Sequence, residues 1–438
     1  MRYLLGGYTS EMGGDASGIG VLVTGEGDAG LASEALGLAP DAVAVEGSPS
    51  WVTRGANGVF YAGLEGTGGV QAFTAAGGGR LRRLGDPVAA GELPCHVAVS
   101  PDARFVLATC WGDGRVVRFA VRRDGSLGEG VAARSAGDPY GAVVHASGFG
   151  SDEGDGAEGG SGADAGAVPA GDGERRGEAG APRRGPDPAE LSAAAAALRA
   201  AVGPEFAGLV PDYSEAEAEA AANDEASGVE SDADSDSAEP ARVSRAHQSR
   251  FLPGGLIATT DMGFDLLRFW RDGADGLRPA GEIVFPRGSG PRHTAWHPSG
   301  HLYVVTELSR EVFVLAPDAA GAWRIVSATP LAGTLDTDTA AEIALDRTGE
   351  HVYVGVRGSN TIATLNVTDA GSGIRFTALV DAGVDWPRHH LVETATLLVA
   401  GQRSNEIASL PLDPRTGVPG RARYRTTAPS PTCIARLR

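Results

Sequence analysis

Several side chains that can transfer a proton recur at one position of a repeated sequence pattern. This position is the third residue of each repeat, and it holds four of the nine histidines of the chain. Its members are His96, His247, His293, Glu342 and His389. The last four are separated by 46, 49 and 47 residues, a spacing of whole structural units. Because a neutral histidine or a carboxylate can take a proton from water, the set indicates acid–base chemistry at one shared site.

Arginines, a glutamine and a further glutamate accompany this position. Two arginines precede histidines of the set, the glutamine follows another, and the last two residues end predicted strands in YVVTEL and YVGVRGSN. These companions are Arg292, Arg388, Gln248, Glu307 and Arg357. An arginine can hold a carbonyl oxygen as it becomes an oxyanion, and another can bind phosphate or carboxylate through two parallel hydrogen bonds. The residue types therefore favour acyl chemistry on an anionic substrate.

The elements that must bring these residues together are short strands. Stretches such as HVYVGV alternate apolar and polar residues, and SPDA, HPSG and DRTG are typical of tight turns. The repeats start at Pro49, Pro94, Arg245, Pro291, Ala340 and Pro387. Repeats of this length with four short strands each are typical of a propeller blade, whose first strand lines the central channel.

The count of repeats predicts an all-β fold, a seven-bladed β-propeller with four-stranded antiparallel blades. Six repeats are complete, and the chain ends supply the seventh. YLLGGYT and IGVLVTG near the N-terminus resemble the middle strands of a blade, and PTCIARL at the C-terminus resembles its missing first strand. We expect these strands to share one blade, because this arrangement closes the ring and removes its open edge.

A long acidic segment at 137–242 interrupts the repeats and divides the predicted propeller into 1–136 and 243–438. Residues 151–240 contain 22 Asp and Glu against 5 Arg, a balance of −17, so that the rest of the chain carries only about −2 of the net −19. The segment is rich in Gly, Ala, Asp, Glu and Ser, and we predict that it is mostly disordered. The stretch DPAELSAAAAALRAAV at 187–202 predicts one short helix within it.

Composition excludes several function classes. The chain contains no lysine, which rules out Schiff-base chemistry, and it lacks the basic stripe that nucleic acid binding requires. Three cysteines without a CxxC pair argue against a disulfide framework or a zinc site. We therefore expect no metal. The short apolar run in MRYLLGGYTS and the absence of long apolar stretches predict a cytoplasmic protein without a membrane partner.

The repeats also resemble a known family, the lactonase family of seven-bladed propellers. The matching stretches are GGYTS, PCHVAVSPDARFVL, AHQ, GPRH, YVVTEL, AEIALDRTGEHVYVGVRGSN and APSPTC, and they cover the chain apart from 137–242. The resemblance implies cofactor-free opening of a lactone ring by water, with 6-phosphogluconolactone as the expected substrate. The sequence differs from the family pattern in the stretch TCWGDGRV and in the long insertion before AHQ.

The resemblance implies catalytic roles for His247, Arg292, Glu307 and Arg357. His247 or Glu307 is the expected base, and the arginines are expected to bind the carbonyl oxygen and the phosphate. The residues expected to bind substrate are His96, His293, Glu342, Arg388, His389 and Gln248.

Alternatives remain open at this point. His96 and His389 could simply cap backbone groups inside the channel, and the arginine–glutamate network could hold blades in register. The tryptophans are expected to pack between blades. The protein could instead be a lactonising cycloisomerase of a carboxylated muconate, or a propeller scaffold without catalytic activity. The sequence does not predict its oligomeric state.

Overall fold

The computed structural model describes residues 1–141 and 241–437, and these form seven antiparallel four-stranded sheets arranged in a ring. The predicted seven-bladed β-propeller is therefore confirmed. We number the blades by the order of their innermost strands. Every innermost strand contacts the innermost strands of both neighbouring blades, so that the seven of them surround one axis.

One blade combines both chain ends, and the other six are continuous in sequence. Blade 7 contains β1 (Arg2–Gly7), β2 (Gly18–Val23), β3 (Gly37–Ala44) and the innermost strand β28 (Pro431–Arg436). Blade 1 contains β4 (Pro49–Arg54), β5 (Phe60–Leu64), β6 (Gly69–Ala75) and β7 (Leu81–Ala89). Blade 2 contains β8 (Pro94–Val99), β9 (Phe105–Cys110), β10 (Val116–Val121) and β11 (Leu127–Ala132). Blade 3 contains β12 (Ala246–Phe251), β13 (Leu256–Asp261), β14 (Leu266–Gly273) and β15 (Gly276–Val284).

The last three complete blades follow without interruption. Blade 4 contains β16 (Pro291–Trp296), β17 (Leu302–Thr306), β18 (Glu311–Pro317) and β19 (Trp323–Pro330). Blade 5 contains β20 (Thr339–Leu345), β21 (His351–Arg357), β22 (Thr361–Thr368) and β23 (Gly373–Asp381). Blade 6 contains β24 (Pro387–Val392), β25 (Thr396–Gly401), β26 (Glu406–Pro411) and β27 (Tyr424–Thr427).

The closing blade joins the two ends as the sequence predicts. In the β1–β28 pair, Tyr3 lies opposite Arg436 and Leu5 opposite Ile434. Both apolar residues of the second pair are buried in a cluster shared with blade 6. Because this pairing covers the edges that blade 7 would otherwise expose, the ring is closed by backbone hydrogen bonds.

Apolar faces of adjacent blades form the core. Between blades 4 and 5, for example, Val305 and Val314 pack with Val354 and Leu365, and none of these side chains reaches solvent. Truncation of one such buried aliphatic residue to alanine typically costs about 2–5 kcal/mol of unfolding free energy. The blades are thus held by interleaved apolar layers around the axis.

Two glycines show how closely each blade approaches the start of the next innermost strand. A Cβ atom at Gly63 of β5 would lie 2.6 Å from the carbonyl oxygen of Pro94, the first residue of β8. A Cβ atom at Gly6 of β1 would lie 2.7 Å from the carbonyl oxygen of Pro49, the first residue of β4. A side chain at either position would push the innermost strand away, so these glycines help to set where the strands begin.

Helical structure is minor among the described residues. It consists of one short helix, α1 (Gly27–Ser33), and three 3-10 turns at Ser10–Met12, Pro253–Gly255 and Asp369–Gly371. No helix in this part of the chain is long and apolar enough to cross a membrane.

The two ends of the predicted insertion contact the propeller and each other. Arg242 lies 2.8 Å from Asp138, and the Tyr140 hydroxyl donates a hydrogen bond of 2.6 Å to the Phe285 carbonyl. Residues 142–240 lie outside the described part of the chain. The disorder and the helix predicted for this segment therefore stay predictions.

Candidate active site

A β-bulge shapes the start of every innermost strand. In all seven blades the pairing between first and second strands shifts by one residue near the start of the innermost strand. A bulge re-aims the side chains beside it. In blade 4, Arg292 at the bulge contacts Glu307, whereas His293 contacts Trp51 deeper in the channel. In blade 4, two successive residues of the innermost strand therefore lie in two different layers.

Three rows of residues surround the axis at this end of the channel. The bulge row is the second residue of each innermost strand, or the third in blade 5, where β20 begins one residue earlier: Ser50, Cys95, His247, Arg292, Ala341, Arg388 and Thr432. The channel row is the residue that follows the bulge row in each strand: Trp51, His96, Gln248, His293, Glu342, His389 and Cys433. The rim row lies at or directly after the end of each second strand: Tyr8, Glu65, Trp111, Met262, Glu307, Arg357 and Gln402.

His247 belongs to the bulge row, and Gln248 takes the channel-row position of blade 3. The prediction that His247 shares the third position with the other histidines is therefore wrong. The reason is that β12 begins at Ala246, which pairs with Asp261, and not at Arg245. This shift places His247 level with the bulge-row arginines.

An arginine–glutamate cluster connects the bulge row with the rim row. Glu307 Oε2 lies 2.8 Å from Arg292 Nε and 2.9 Å from Arg357 Nη2. Both arginines are buried. Burial raises the pKa of Glu307, but the charges of Arg357 and Arg292 outweigh it and hold that pKa below its ordinary value. Glu307 is therefore ionised and clamps two cations.

The arginines keep unused donors despite this clamp. Arg292 Nε faces Glu307 at 2.8 Å, but Nη1 of Arg292 and Nε of Arg357 have no hydrogen-bond partner among the described residues. Burial lowers the pKa of Arg357 to about 10, so it is still protonated at neutral pH. Since buried donors without partners are costly, the cluster is suited to receive an anionic or carbonyl oxygen.

His247 is a neutral base beside this cluster. Burial lowers the pKa of His247 well below its ordinary value, and the neighbouring Arg292 lowers it further. Its Nδ1 has no hydrogen-bond partner among the described residues, and its ring centroid lies 4.9 Å from that of His293. A neutral imidazole with an unused nitrogen can accept a proton.

The preceding blade fixes the backbone of His247. The Thr109 hydroxyl donates a hydrogen bond of 2.8 Å to the His247 carbonyl, and the Cys95 thiol approaches the same oxygen at 3.4 Å. The corresponding contact in the next blade runs from the Thr260 hydroxyl to the Arg292 carbonyl at 2.7 Å. The carbonyl groups at these bulges thus accept hydrogen bonds from the neighbouring blade, and these bonds position His247 and Arg292.

Gln248 joins two blades. Its amide oxygen accepts hydrogen bonds from the backbone N–H and the hydroxyl of Thr294, at 2.7 and 2.6 Å. Its own backbone N–H donates to the Thr260 hydroxyl at 3.0 Å. This side chain therefore has a structural use, and its substrate-binding role stays a prediction.

Below the bulge row, aromatic and acid–base side chains fill the channel. His293 Nδ1 lies 2.8 Å from Glu342 Oε2, and His389 Nε2 lies 3.5 Å from the same oxygen. The ring of Trp51 lies 4.4 Å from that of His96 and 5.3 Å from that of His389. The expectation that tryptophans pack between blades is thus incomplete for Trp51, which lies in the channel.

His389 makes the contact that the capping alternative predicts. Its Nδ1 accepts the backbone N–H of Ile434 at 3.3 Å, which places the proton of the neutral ring on Nε2, facing Glu342. Burial lowers the pKa of His389 to about 4. Nδ1 of His96 has no hydrogen-bond partner among the described residues, so His96 makes no such contact through this atom.

A second group at the rim was missed by the sequence reasoning. The Tyr8 hydroxyl donates a hydrogen bond of 3.1 Å to Glu65 Oε1, and the Arg388 guanidinium lies 5.0 Å from the Tyr8 ring centroid. Burial lowers the pKa of Arg388, but Tyr8, Glu65 and Glu307 together raise it above its ordinary value. A signal was available, since YAGLE and YVVTE place Glu65 and Glu307 at the same position of the repeat.

The opposite end of the channel differs in chemistry. A cavity of about 430 Å³ opens there beside the ends of β4, β24 and β28. Its charged lining residues in the described chain are Arg54 and Arg436, and Arg436 is bound to Glu393 at 2.8 Å. The lining includes neither a histidine nor a carboxylate, so the acid–base groups converge on the bulge end instead.

Comparison with known proteins identifies the family. The family described as "Lactonase, 7-bladed beta-propeller" matches residues 2–143 and 208–436. The chain belongs to this lactonase family. The sequence is 23% identical over 406 residues to the 6-phosphogluconolactonase of Bacillus subtilis, covering 90% of this chain and 89% of that protein. The predicted family is confirmed, and with it the prediction of a lactonase enzyme.

Solved structures agree with the lactonase fold. The periplasmic gluconolactonase of Pseudomonas aeruginosa superimposes with a TM-score of 0.68 at 20% identity and covers all of both chains. A protein from Lactobacillus plantarum also reaches a TM-score of 0.68, at 19% identity, over 99% of this chain and 98% of its own. At these identities the likeness supports the propeller architecture.

Proposed function

We propose that this lactonase hydrolyses a sugar lactone, with 6-phosphogluconolactone as the preferred substrate. The observation that carries the proposal is the meeting of His247, Arg292, Glu307 and Arg357 at one end of the channel, with arginine donors left over. The name of the Bacillus subtilis relative, which matches 90% of this chain, supports the choice of substrate. The reaction needs only water, so the proposal includes no metal and no cofactor.

In the proposed reaction His247 is the base and Arg292 stabilises the transition state. His247 takes a proton from water while the water oxygen attacks the carbonyl carbon. The resulting oxyanion accepts a hydrogen bond from Nη1 of Arg292, which has no partner among the described residues. Breaking the ring C–O bond then returns the proton from the imidazolium to the ring oxygen, and the open-chain acid leaves with a free hydroxyl.

Glu307 is not the base in this scheme. Its carboxylate already balances Arg292 and Arg357, and its pKa is lowered by them in spite of burial. The arginines occupy Oε2 of Glu307, whereas Nδ1 of His247 has no hydrogen-bond partner among the described residues and is free to take the proton. The proposed role of Glu307 is therefore to position the two arginines, with Arg357 directed to the substrate phosphate.

The proposal includes a cytoplasmic location. Its support is that all three cysteines, Cys95, Cys110 and Cys433, are free and buried, which suits a reducing compartment.

The test is steady-state hydrolysis of 6-phosphogluconolactone, with the spontaneous rate subtracted. We expect His247→Asn to lower kcat about 10²–10⁴-fold, the usual contribution of a general base, and Arg292→Ala to lower kcat/KM by about 10²–10³-fold. His301→Asn, at a histidine in a turn between β16 and β17, is the matched control and should keep the wild-type rate.

Other outcomes would overturn the proposal. Full activity of both variants removes this site assignment. Conversion of a carboxylated muconate without hydrolysis of any sugar lactone favours the cycloisomerase. Absence of turnover on both substrates favours the scaffold alternative.

A further inference from the structure

We propose that Glu65 recognises the hydroxyl groups of the lactone ring and makes the site selective for polyhydroxylated lactones. The inference rests on the proposed function and adds to it a residue from a blade that carries none of the expected catalytic groups. It follows from the position of Glu65, from its one unused oxygen and from the chemistry that such an oxygen accepts.

Glu65 lies in the same layer as the catalytic cluster. It is the rim-row residue of blade 1, three blades from Glu307, and therefore almost across the axis from it. Its charge contributes to the pKa of Arg388 on blade 6 together with that of Glu307. Its charge also raises the pKa of the Cys95 thiol in the bulge row, whereas the charges of Arg292 and Arg388 lower it. These shared neighbours place Glu65 close to Arg388 and to the bulge row, at the same end of the channel as Arg292.

One oxygen of Glu65 is fixed and the other is unused. Oε1 accepts the Tyr8 hydroxyl at 3.1 Å, whereas Oε2 has no hydrogen-bond partner among the described residues. The residue is only 6% exposed, so bulk water satisfies little of this oxygen. A buried carboxylate oxygen without a donor is costly. Its natural occupant is a ligand that brings a donor.

The contrast with Glu307 indicates which ligand group suits Glu65. Glu307 forms two ion pairs, whereas Glu65 forms none within 4 Å in the described chain. An ionised carboxylate only accepts hydrogen bonds. Phosphate and carboxylate groups are repelled there, while the hydroxyls of a sugar ring can donate. The two sides of the rim thus divide the substrate, with anionic groups at Arg292 and Arg357 and hydroxyls at Glu65.

Tyr8 and Arg388 hold Glu65 in place. The Tyr8 hydroxyl fixes Oε1, and the Arg388 guanidinium covers the Tyr8 ring at 5.0 Å. These three residues come from blades 7, 6 and 1, so the carboxylate is oriented by its neighbours on the ring. A site built to bind a hydroxyl rejects an analogue without it far more strongly than a purely apolar pocket does.

The test compares two lactones that have the same six-membered ring and no phosphate. Glucono-δ-lactone carries hydroxyls, and δ-valerolactone carries none. For the wild type we expect kcat/KM to favour glucono-δ-lactone by about 100-fold or more. In Glu65→Gln this ratio should fall at least about tenfold, mainly through a higher KM for the hydroxylated substrate. Glu350→Gln, at an exposed turn residue, should leave the ratio unchanged.

A second variant protects the test against misfolding. Tyr8→Phe keeps the carboxylate of Glu65 but removes the hydrogen bond to Oε1, so the ratio should fall by a smaller factor. If Glu65→Gln does not fold, as judged by circular dichroism, the ratio measured for Tyr8→Phe alone decides whether the inference holds.

The outcomes separate this inference from the proposed function. An unchanged ratio in the variants, or an equal loss on both lactones, overturns the inference and leaves the hydrolase intact. A wild type that hydrolyses both lactones equally also overturns the inference and leaves the hydrolase intact. A wild type that hydrolyses neither these lactones nor 6-phosphogluconolactone overturns the proposed function, and the inference with it.

Discussion

Glu307 owes its properties to the two arginines that it holds. Its Oε2 lies within 3 Å of both Arg292 and Arg357, and these charges lower its pKa although burial raises it. In turn, Glu307 keeps two buried guanidinium groups oriented while some of their donors remain free. At the scale of single residues, one carboxylate therefore orients both guanidinium groups of the proposed anion site.

Replacing Glu307 by glutamine should damage both binding and stability. Glu307→Gln leaves two buried cations without a counter-charge, which typically costs about 3–5 kcal/mol of unfolding free energy. We expect kcat/KM for 6-phosphogluconolactone to fall about 100-fold or more, with KM raised as well as kcat lowered. Urea unfolding and steady-state kinetics measure these effects. A loss of kcat at constant KM and full stability would instead identify Glu307 as the base.

At the scale of elements, the bulges and the threonines of the preceding blades place the site. The Thr260 hydroxyl accepts the Gln248 N–H at 3.0 Å and donates to the Arg292 carbonyl at 2.7 Å. One hydroxyl thereby joins the bulge of blade 3 to the bulge of blade 4. Arg292 is oriented through its backbone by a residue that need not contact substrate.

Thr260→Val should therefore reduce activity without touching the reacting groups. The substitution leaves the buried Arg292 carbonyl without this donor, at a cost of about 1–3 kcal/mol in unfolding free energy. We expect kcat/KM to fall by about 10-fold or more, since small displacements of positioning groups lower the rate strongly. Thr260→Ser retains the hydroxyl and should restore most of the activity.

A matched control exists in blade 5. Thr364 is equally buried, but its hydroxyl has no hydrogen-bond partner among the described residues. Thr364→Val should leave kcat/KM unchanged. Equal losses in Thr260→Val and Thr364→Val would show that general repacking, and not the Arg292 carbonyl, is responsible.

At the scale of the whole molecule, five histidines of the described chain are buried on the innermost strands with lowered pKa values. Burial is the main cause of the lowered pKa in each of His96, His247, His293, His389 and His390, and it brings the last two to about 4. Nearby arginines, Arg250, Arg292 and Arg388, disfavour the charged form further, whereas Glu342 favours it at His389 and His390. The folded propeller therefore resists protonation at these rings.

Stability should consequently fall as pH is lowered from 7 to 5. Unfolded histidines have a pKa near 6.5 and bind protons in this range, whereas the buried ones do not. The unfolding free energy then decreases with falling pH by up to about 1.4 kcal/mol per pH unit for each histidine, until the folded pKa values are reached. Urea unfolding at pH 7, 6 and 5 measures the slope.

His96→Phe provides the control for this slope. It keeps an aromatic ring beside Trp51 but removes one titrating group, so the slope should decrease by about one histidine's contribution. Stability that stays constant or increases toward pH 5 would contradict the expectation.

Periodicity determined the architecture, because a repeat exposes its strands and turns in local sequence. The seven blades, the shared closing blade and the candidates Arg292, Glu307 and Arg357 followed from that pattern. The misplaced His247 shows the limit of the approach, since nothing in SRAHQ indicates that the innermost strand begins at Ala246 and not at Arg245.

The composition of the site was decided only by tertiary structure. Nothing in the sequence near Glu65 or Trp51 indicates that Tyr8, 57 residues away, bonds to Glu65 or that Trp51 stacks against His96. Such partners come from different blades, and which of them meet depends on how the ring closes. The sequence alone therefore determined the repeating unit and the available chemistry. Only the closed ring decided which groups are paired and which keep a free donor or acceptor, because pairing depends on distances between segments far apart in the chain.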